Sequence, residues 1–451
     1  HVVDASTDIV SVTRLLHEQR ITSVLVSGLP QGLGIFSNTT LQRAILDGRA
    51  LTELAVGEFA SSPVISVRAS EQLGDAMALL LRARVHRLAV LDEAGQVCGI
   101  LDALDLFSFL ANHSHLILVQ IEQAGDLQAL EQPAAQINEL LSALHRGGTR
   151  VALMAQLVQQ LNTRLFERAW QMLAPSDLVA NSCLFVMGSE GRGEQLLKTD
   201  QDNGLLLRDG YVPPADLAAI CDAFSAVLQR FGYPECPGRI MLNNPEWRGT
   251  ASEFAQRCQG WLLMPSADSL MRLAIFLDAR AVAGDAELLA GVRQKLQALA
   301  TDNDALIARF AAVIDSFGES GRWWSRLLGR DDEFSRVHLK KAGIFPLVHG
   351  VRSLALARHV DATGTVERIE ALVADGTLDA ALGREMREAL HLLMGLRLQA
   401  GLKELQRHLP VTAEVDPATL SSLERDLLKD ALAVVRRFRA LLQQRLRLDV
   451  L

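Results

Sequence analysis

Apolar and polar positions along residues 1–110 spell out one unit twice. The first copy reads "DIVSVTRLLHEQRITSVLVSGLPQGLGIFSNTTLQRAI" and the second "EQLGDAMALLLRARVHRLAVLDEAGQVCGILDALDLFSFL". Each predicts an amphipathic helix, a strand (Ser23–Val26; Arg87–Leu91), a turn, a short strand and a closing helix. Gly34-Ile35-Phe36-Ser37 and Gly99-Ile100-Leu101-Asp102 hold the same place in each copy, about 65 residues apart. The same order of elements at a fixed period is an internal repeat.

From His113 to about Ala174 the apolar spacing turns helical, with Leu157, Leu161, Leu165 and Ala169 along one face. Pro175-Ser176-Asp177 breaks that pattern. An apolar run, Ser182 to Met187, then reads as a buried strand ending at Gly188-Ser189. A second apolar run follows at Leu205-Leu206-Leu207. Past residue 286 the pattern is almost entirely helical. "SLERDLLKDALAVVRRFRALL" opens on a capping box, Ser421 to Glu424. Its stripe of Leu423, Leu427, Leu428, Ala431, Val434, Val435 and Phe438 predicts one bundle-facing surface. The expected fold is therefore α+β and multidomain: a repeated α/β pair over 1–112, a helical segment over 113–175, a core with a small mixed sheet over 176–285, and a helical bundle over 286–451.

Composition narrows the function. With 451 residues, 49% of them hydrophobic, the chain can bury several cores. A net charge of −8 argues against a dedicated nucleic-acid binder, whose affinity rests on neutralising phosphates. Five cysteines without a CxxC pair fit buried thiols in a reducing, cytoplasmic setting. The longest apolar run, His115 to Ile121, falls far short of the ~20 residues of a membrane span. No signal peptide opens the chain, and because it begins at His1 inside a patterned segment, an upstream piece is expected.

The repeat resembles a tandem CBS-domain pair, whose halves share a buried face and bind adenine nucleotides in their clefts. That family's cleft signature places a Thr against phosphate and an Asp against ribose hydroxyls. The first copy has Ser37 and Thr40 at those places, and the second has Asp102 and Asp105. A carboxylate at the phosphate position is repulsive. Two expectations follow: a regulatory adenine-nucleotide site, or a structural pair through which two chains form a homodimer.

The chemistry concentrates in "MGSEGRGEQLLKTDQDNGLLL", Met187 to Leu207. Gly188 permits close backbone approach, and Ser189 offers a hydroxyl and an N–H to a phosphate. Asp200 and Asp202 lie two apart on a predicted strand, so both carboxylates take one face while Gln201 and Asn203 take the other. Two close carboxylates repel unless a cation sits between them, and hard oxygen ligands suit Mg²⁺, with substrate phosphates completing its shell. A Gly-Ser turn followed at this distance by D-x-D resembles the DNA polymerase β nucleotidyltransferase superfamily. The intervening string, with "MLNNPEWRG", "FLDARAVAGD" and "LKKAGIFPLVHGVRSLAL" downstream, resembles the CBS-linked relatives of the PII uridylyltransferases and glutamine-synthetase adenylyltransferases.

That resemblance implies a transfer of NMP from an NTP to a hydroxyl, most naturally of a protein, with two Mg²⁺ ions on Asp200 and Asp202. It implies nucleotide contacts from Gly188, Ser189, Arg192, Lys198, Lys340 and Lys341, with Glu194 orienting a basic neighbour. The superfamily's third carboxylate would come from "GRIMLNNPE", whose expected strand core, Ile240-Met241-Leu242, carries no acid. Glu246 lies beyond Pro245 and is not assigned the role. A nucleotide sensor or scaffold without turnover therefore stands as the alternative. The chain contains no His-Asp dipeptide, so no HD-type hydrolase is expected.

Overall fold

The computed structural model describes the chain outside residues 20, 72–75, 77–78, 81–82, 84, 86, 103–113, 301–303, 317–336, 408, 410, 413 and 447–451. It divides into two compact units, His1–Asn112 with Arg146–Gly148, and His113–His145 with Thr149–Leu451.

In the first unit the repeat takes the same form twice. Strands β1 (Val2–Asp4), β2 (Ser23–Leu29) and β3 (Gly32–Ser37) form one sheet, β1 parallel and β3 antiparallel to β2. Strands β4 (Ser66–Arg68), β5 (Arg87–Leu91) and β6 (Val97–Asp102) repeat that order and sense. Helix α1 (Ile9–Glu18) buries Ile9, Val12 and Leu16 against Val24, Val26 and Phe36, the helical and strand periods meeting in one core. Helix α2 (Asn38–Asp47) closes the first copy. Asp105 and the closing helix of the second copy lie outside the described residues.

The second unit is built around a four-stranded sheet in the order β10-β7-β8-β9. Its strands are β7 (Ser182–Val186), β8 (Asn203–Leu207), β9 (Arg248–Thr250) and β10 (Arg280–Gly284). β7 pairs antiparallel with both β8 and β10, and β9 runs parallel to β8. Every residue of β7 and β8 is buried, so helices cover both faces. On one face Phe185 packs edge-on against Phe254 and Phe276 at 5.8 and 6.0 Å, with Trp247 and Trp261 beyond. Each such ring contributes roughly 1.5–3 kcal/mol by leaving water. Helix α3 (Val151–Leu173) buries Leu161, Leu165 and Ala169 as its spacing predicts, and Trp170 with them.

Two expectations change here. The strand beside β8 is Arg248–Thr250 and not Ile240–Leu242. The run Gly238–Asn244 is irregular, because Asn244 and Pro245 cap a 3₁₀ turn that delays the strand. On α4 (Ser422–Leu446), Leu428, Ala431, Val435 and Phe438 are buried as expected, whereas Leu423 and Leu427 are exposed: they lie in the first turns, outside the packed seam. The capping box forms, with Ser421 N–H donating to Glu424 Oε2 at 2.7 Å. Three cysteines are buried, but Cys98 is exposed and Cys236 partly so.

Candidate active site

Asp200 and Asp202 stand just before β8 rather than on it. The extended alternation nevertheless holds through them. Gln201 is buried, its amide donating to the carbonyls of Ser225 and Tyr233, both at 3.1 Å. Asn203 is buried too, its Oδ1 accepting from Leu242 N–H at 2.9 Å. These two clamps leave the aspartates on the opposite face. Asp200 is exposed and Asp202 partly buried.

The turn after β7 meets this pair. Gly188 adopts φ +58°, and a Cβ there would come within 2.6 Å of Asp202 Oδ2. Gly191 is equally constrained, since a Cβ would strike the carbonyl of Asp278 at 2.0 Å. Burial pushes the Asp202 carboxyl up to about 6; the Cys236 thiol, which donates to it, Lys340 and Arg192 pull it back, and Asp200 adds to the push. Cys236 itself stays a thiol, raised to about 11 by burial and by Asp202. It faces Asp202 from an irregular segment that precedes β9.

The remaining expected residues separate into two groups. Arg192, partly buried, and Lys340, exposed, both act electrostatically on Asp202. Arg192 is oriented by carboxylates: Nε donates to Glu194 Oε2 and Nη1 to Asp278 Oδ2, both at 2.6 Å. Ser189 lies at the turn, its hydroxyl donating to Gln195 Oε1 at 2.9 Å. Lys198 is elsewhere. Its ammonium donates to the carbonyls of Ala134 and Phe231 at 2.7 and 2.5 Å and sits over the Tyr233 ring, and burial pushes it down to about 8. A buried ammonium takes the nearest strong acceptors, and here those are backbone oxygens. Lys341 is exposed, and its backbone N–H donates to His338 Nδ1 at 3.4 Å.

Two features escaped the sequence reading. Asp278, fully buried, accepts from Arg192, from Arg352 Nε at 3.0 Å and from Arg368 Nη1 at 2.8 Å. Its burial favours the neutral acid, but the guanidiniums of Arg352, Arg192 and Arg368 prevail and hold the carboxyl well below its usual range. Its place in "FLDARAVAGD" gives no local sign of this, because the partners lie 74 to 90 residues away. Arg397, on the helix Ala380–Gln406, lines a narrow cleft with Ser189, Glu194 and Thr199, and Arg192 and Asp200 act on it electrostatically.

Behind the turn, Tyr233 hydroxyl donates to Asn162 Oδ1 at 2.6 Å, and Asn162 Nδ2 donates to Glu190 Oε2 at 3.0 Å. Burial pushes Glu190 up to about 7, against the Asn162 hydrogen bond and Arg280. The folded chain thus keeps a proton that the unfolded chain releases above about pH 4.5. The associated stability is full below that pH and is lost as pH rises through about 7. Glu190→Gln preserves the acceptor but cannot ionise. Its thermal midpoint relative to the parent should therefore climb between about pH 5 and about pH 8. A pH-independent difference in scanning calorimetry would show that Glu190 is not held neutral.

In the repeat, Thr40 is buried, its hydroxyl accepting from Ser37 N–H at 2.7 Å and donating to Ser37 C=O at 2.8 Å. Asp102 pairs with Arg87 across β5 and β6 at 2.8 Å, which neutralises the charge expected to repel a phosphate.

Residues 135–268 match the family model described as "Putative nucleotidyltransferase DUF294". Residues 304–446 match "Putative nucleotidyltransferase substrate binding domain", and residues 56–112 match the CBS domain. The chain carries the domains of the CBS-linked putative nucleotidyltransferases. The aspartate pair, Gly188-Ser189 and Arg192 all lie within the nucleotidyltransferase match, and Lys340 and Arg397 within that of the substrate binding domain. No curated protein matches the chain.

Among solved structures, a putative signal-transduction protein with CBS domains from Burkholderia ambifaria is 25% identical. The likeness covers 24% of this chain and 81% of that one, with a TM-score of 0.23. A CBS domain protein from Pyrobaculum aerophilum, complexed with AMP, is 20% identical over 23% of this chain and 80% of its own, with a TM-score of 0.21. No helix among the described residues is long and apolar enough to cross a membrane.

Proposed function

We propose that this nucleotidyltransferase domain moves an NMP from an NTP to a hydroxyl, most naturally on a protein, at Asp200 and Asp202. One observation carries the reading: buried Gln201 and Asn203 are clamped on one face and leave the other to the two aspartates, with Asp202 directly against Gly188. Arg192 and Lys340 supply positive charge beside them for the triphosphate. In the transfer, the hydroxyl oxygen bonds to the α-phosphorus and gives up its proton to solvent water, the bond to the bridging oxygen breaks, and pyrophosphate leaves.

The donor set fits Mg²⁺, since both groups are hard carboxylates and Asp200 is open to solvent. Among the described residues no cluster of three or more His, Cys, Asp or Glu side chains gathers as a metal site. Asp200 and Asp202 would thus hold the ions together with phosphate oxygens and water. Bound there, Mg²⁺ supplies charge stabilisation to the attacking and leaving oxygens. The reading includes an adenine nucleotide at the CBS pair, homodimer formation through that pair, and a cytoplasmic setting; the CBS match and the paired Asp102 support the first of these.

A nucleotide sensor without turnover is favoured by a single observation: the group that the segment before β9 places against Asp202 is the Cys236 thiol and not a carboxylate. Incubation with α-labelled NTPs, Mg²⁺ and cell lysate separates the two. Label transferred to protein in Mg²⁺ and lost with chelator supports the transferase; Mg²⁺-dependent NTP binding with no transfer supports the sensor.

Gly188→Ala tests the contact between the turn and the pair. The left-handed φ costs an alanine about 1–2 kcal/mol, and the new methyl displaces the Asp202 carboxylate. We expect NTP binding in Mg²⁺ to fall at least about tenfold, with a small drop in melting temperature. Unchanged binding would mean that Asp202 need not sit where it does.

A further inference from the structure

We propose that Arg397 is a phosphate clamp contributed by the C-terminal helices, gripping the triphosphate beside Arg192 and Lys340. The inference rests on the transferase reading of the aspartate site and adds to it a binding residue from the other matched domain.

The cleft that Arg397 lines is shared with Ser189, Glu194, Gln195 and Thr199, the stretch between the Gly-Ser turn and the aspartate pair. Glu194 is the acid lining this cleft, and it is already engaged: Oε2 accepts from Arg192 and Oε1 from Thr365 N–H at 2.9 Å. Among the described residues, no hydrogen bond or ion pair holds Arg397. Its charged neighbours are Arg192 and Asp200. Burial pushes its guanidinium down, Arg192 pushes it further, and Asp200 opposes them.

A partly buried guanidinium without a partner, set beside Ser189 and Thr199, is unfavourable unless an anion joins it. Asp200 and Asp202 do not fill that role when they hold a divalent ion. A triphosphate does, because its oxygens accept from a guanidinium fork in two directions at once.

The test is calorimetric titration with magnesium tripolyphosphate, which carries the phosphate chain without a base, alongside a non-hydrolysable NTP. Arg397→Gln should weaken both by roughly 10- to 100-fold. Its thermal midpoint without ligand should be unchanged or higher, because an unpaired cation beside Arg192 has been removed. Arg397→Lys should recover part of the affinity, the charge remaining and the fork being lost. Arg397→Gln binding as tightly as the parent overturns the clamp and leaves the transferase reading standing. Weaker binding accompanied by a lowered thermal midpoint also overturns it, since that marks a packing role. If the parent binds neither probe, both the clamp and the reading beneath it fall.

Discussion

Asp202→Asn is expected to reduce nucleotidyl transfer by about a thousandfold or more, the loss of several kcal/mol of charge stabilisation at the transferring phosphate. Asp200→Asn should do the same, because the two carboxylates act on one face as a pair. The opposite sign is expected for stability. Asp202 is raised to about 6 chiefly by burial, and Asp200 repels it further, so the ionised carboxylate is unfavourable in the folded chain without a cation. Asn removes that charge and can still accept from the Cys236 thiol. The thermal midpoint of Asp202→Asn without ligand should therefore match or exceed the parent's. This pattern, function lost and stability kept or gained, marks a residue retained for chemistry. Initial rates with an α-labelled NTP and melting curves on the same preparations measure both halves. Transfer within about tenfold of the parent would remove Asp202 from the site.

Asp278→Asn should behave in the reverse manner. The substitution is nearly isosteric but leaves Arg192, Arg352 and Arg368 facing a neutral amide in a buried position. Removing one partner of a buried ion network costs about 3–5 kcal/mol, because the remaining charges are uncompensated. The loss should appear as a marked fall in thermal midpoint and as faster hydrogen exchange along Phe345–Ala357 and Thr365–Ala374, the helices that carry Arg352 and Arg368. Arg192 would lose one of its two anchors, so NTP binding should weaken as well. An Asp278→Asn chain melting within a degree or two of the parent would mean that solvent or a rearranged side chain compensates the three guanidiniums.

The features that could be read from the sequence are those in which a short stretch decides its own structure. The repeat was legible because each copy pairs an amphipathic helix with a β-branched strand. Its strands fall where the pattern placed them, at Ser23 and Arg87. The shared face of Asp200 and Asp202 followed from period-2 alternation, and it survives although the ladder begins one residue later, at Asn203. Ser421 and Glu424 cap each other as spacing alone requires.

What could not be read depends on distant partners. Ile240-Met241-Leu242 looks like a strand by composition, yet Asn203 takes up the backbone groups of Ile240 and Leu242 and the regular pairing moves to Arg248. Lys198 has the charge for a phosphate, but carbonyls of Ala134 and Phe231, 64 and 33 residues away, claim it first. Asp278 stands in a block that carries the resemblance without revealing its role, and Arg397 in no motif at all. Their meaning comes from guanidiniums and carboxylates that only the fold brings near.

Asp200 and Asp202 are proposed to hold a metal-bound nucleotide. Isothermal titration of the parent chain with a non-hydrolysable NTP, in Mg²⁺ and again in chelator, tests it most directly. Binding that is present with Mg²⁺ and falls by at least about tenfold without it is the predicted result. Equal affinity under both conditions would contradict the claim, because the paired carboxylates would then be a source of repulsion and not of recognition.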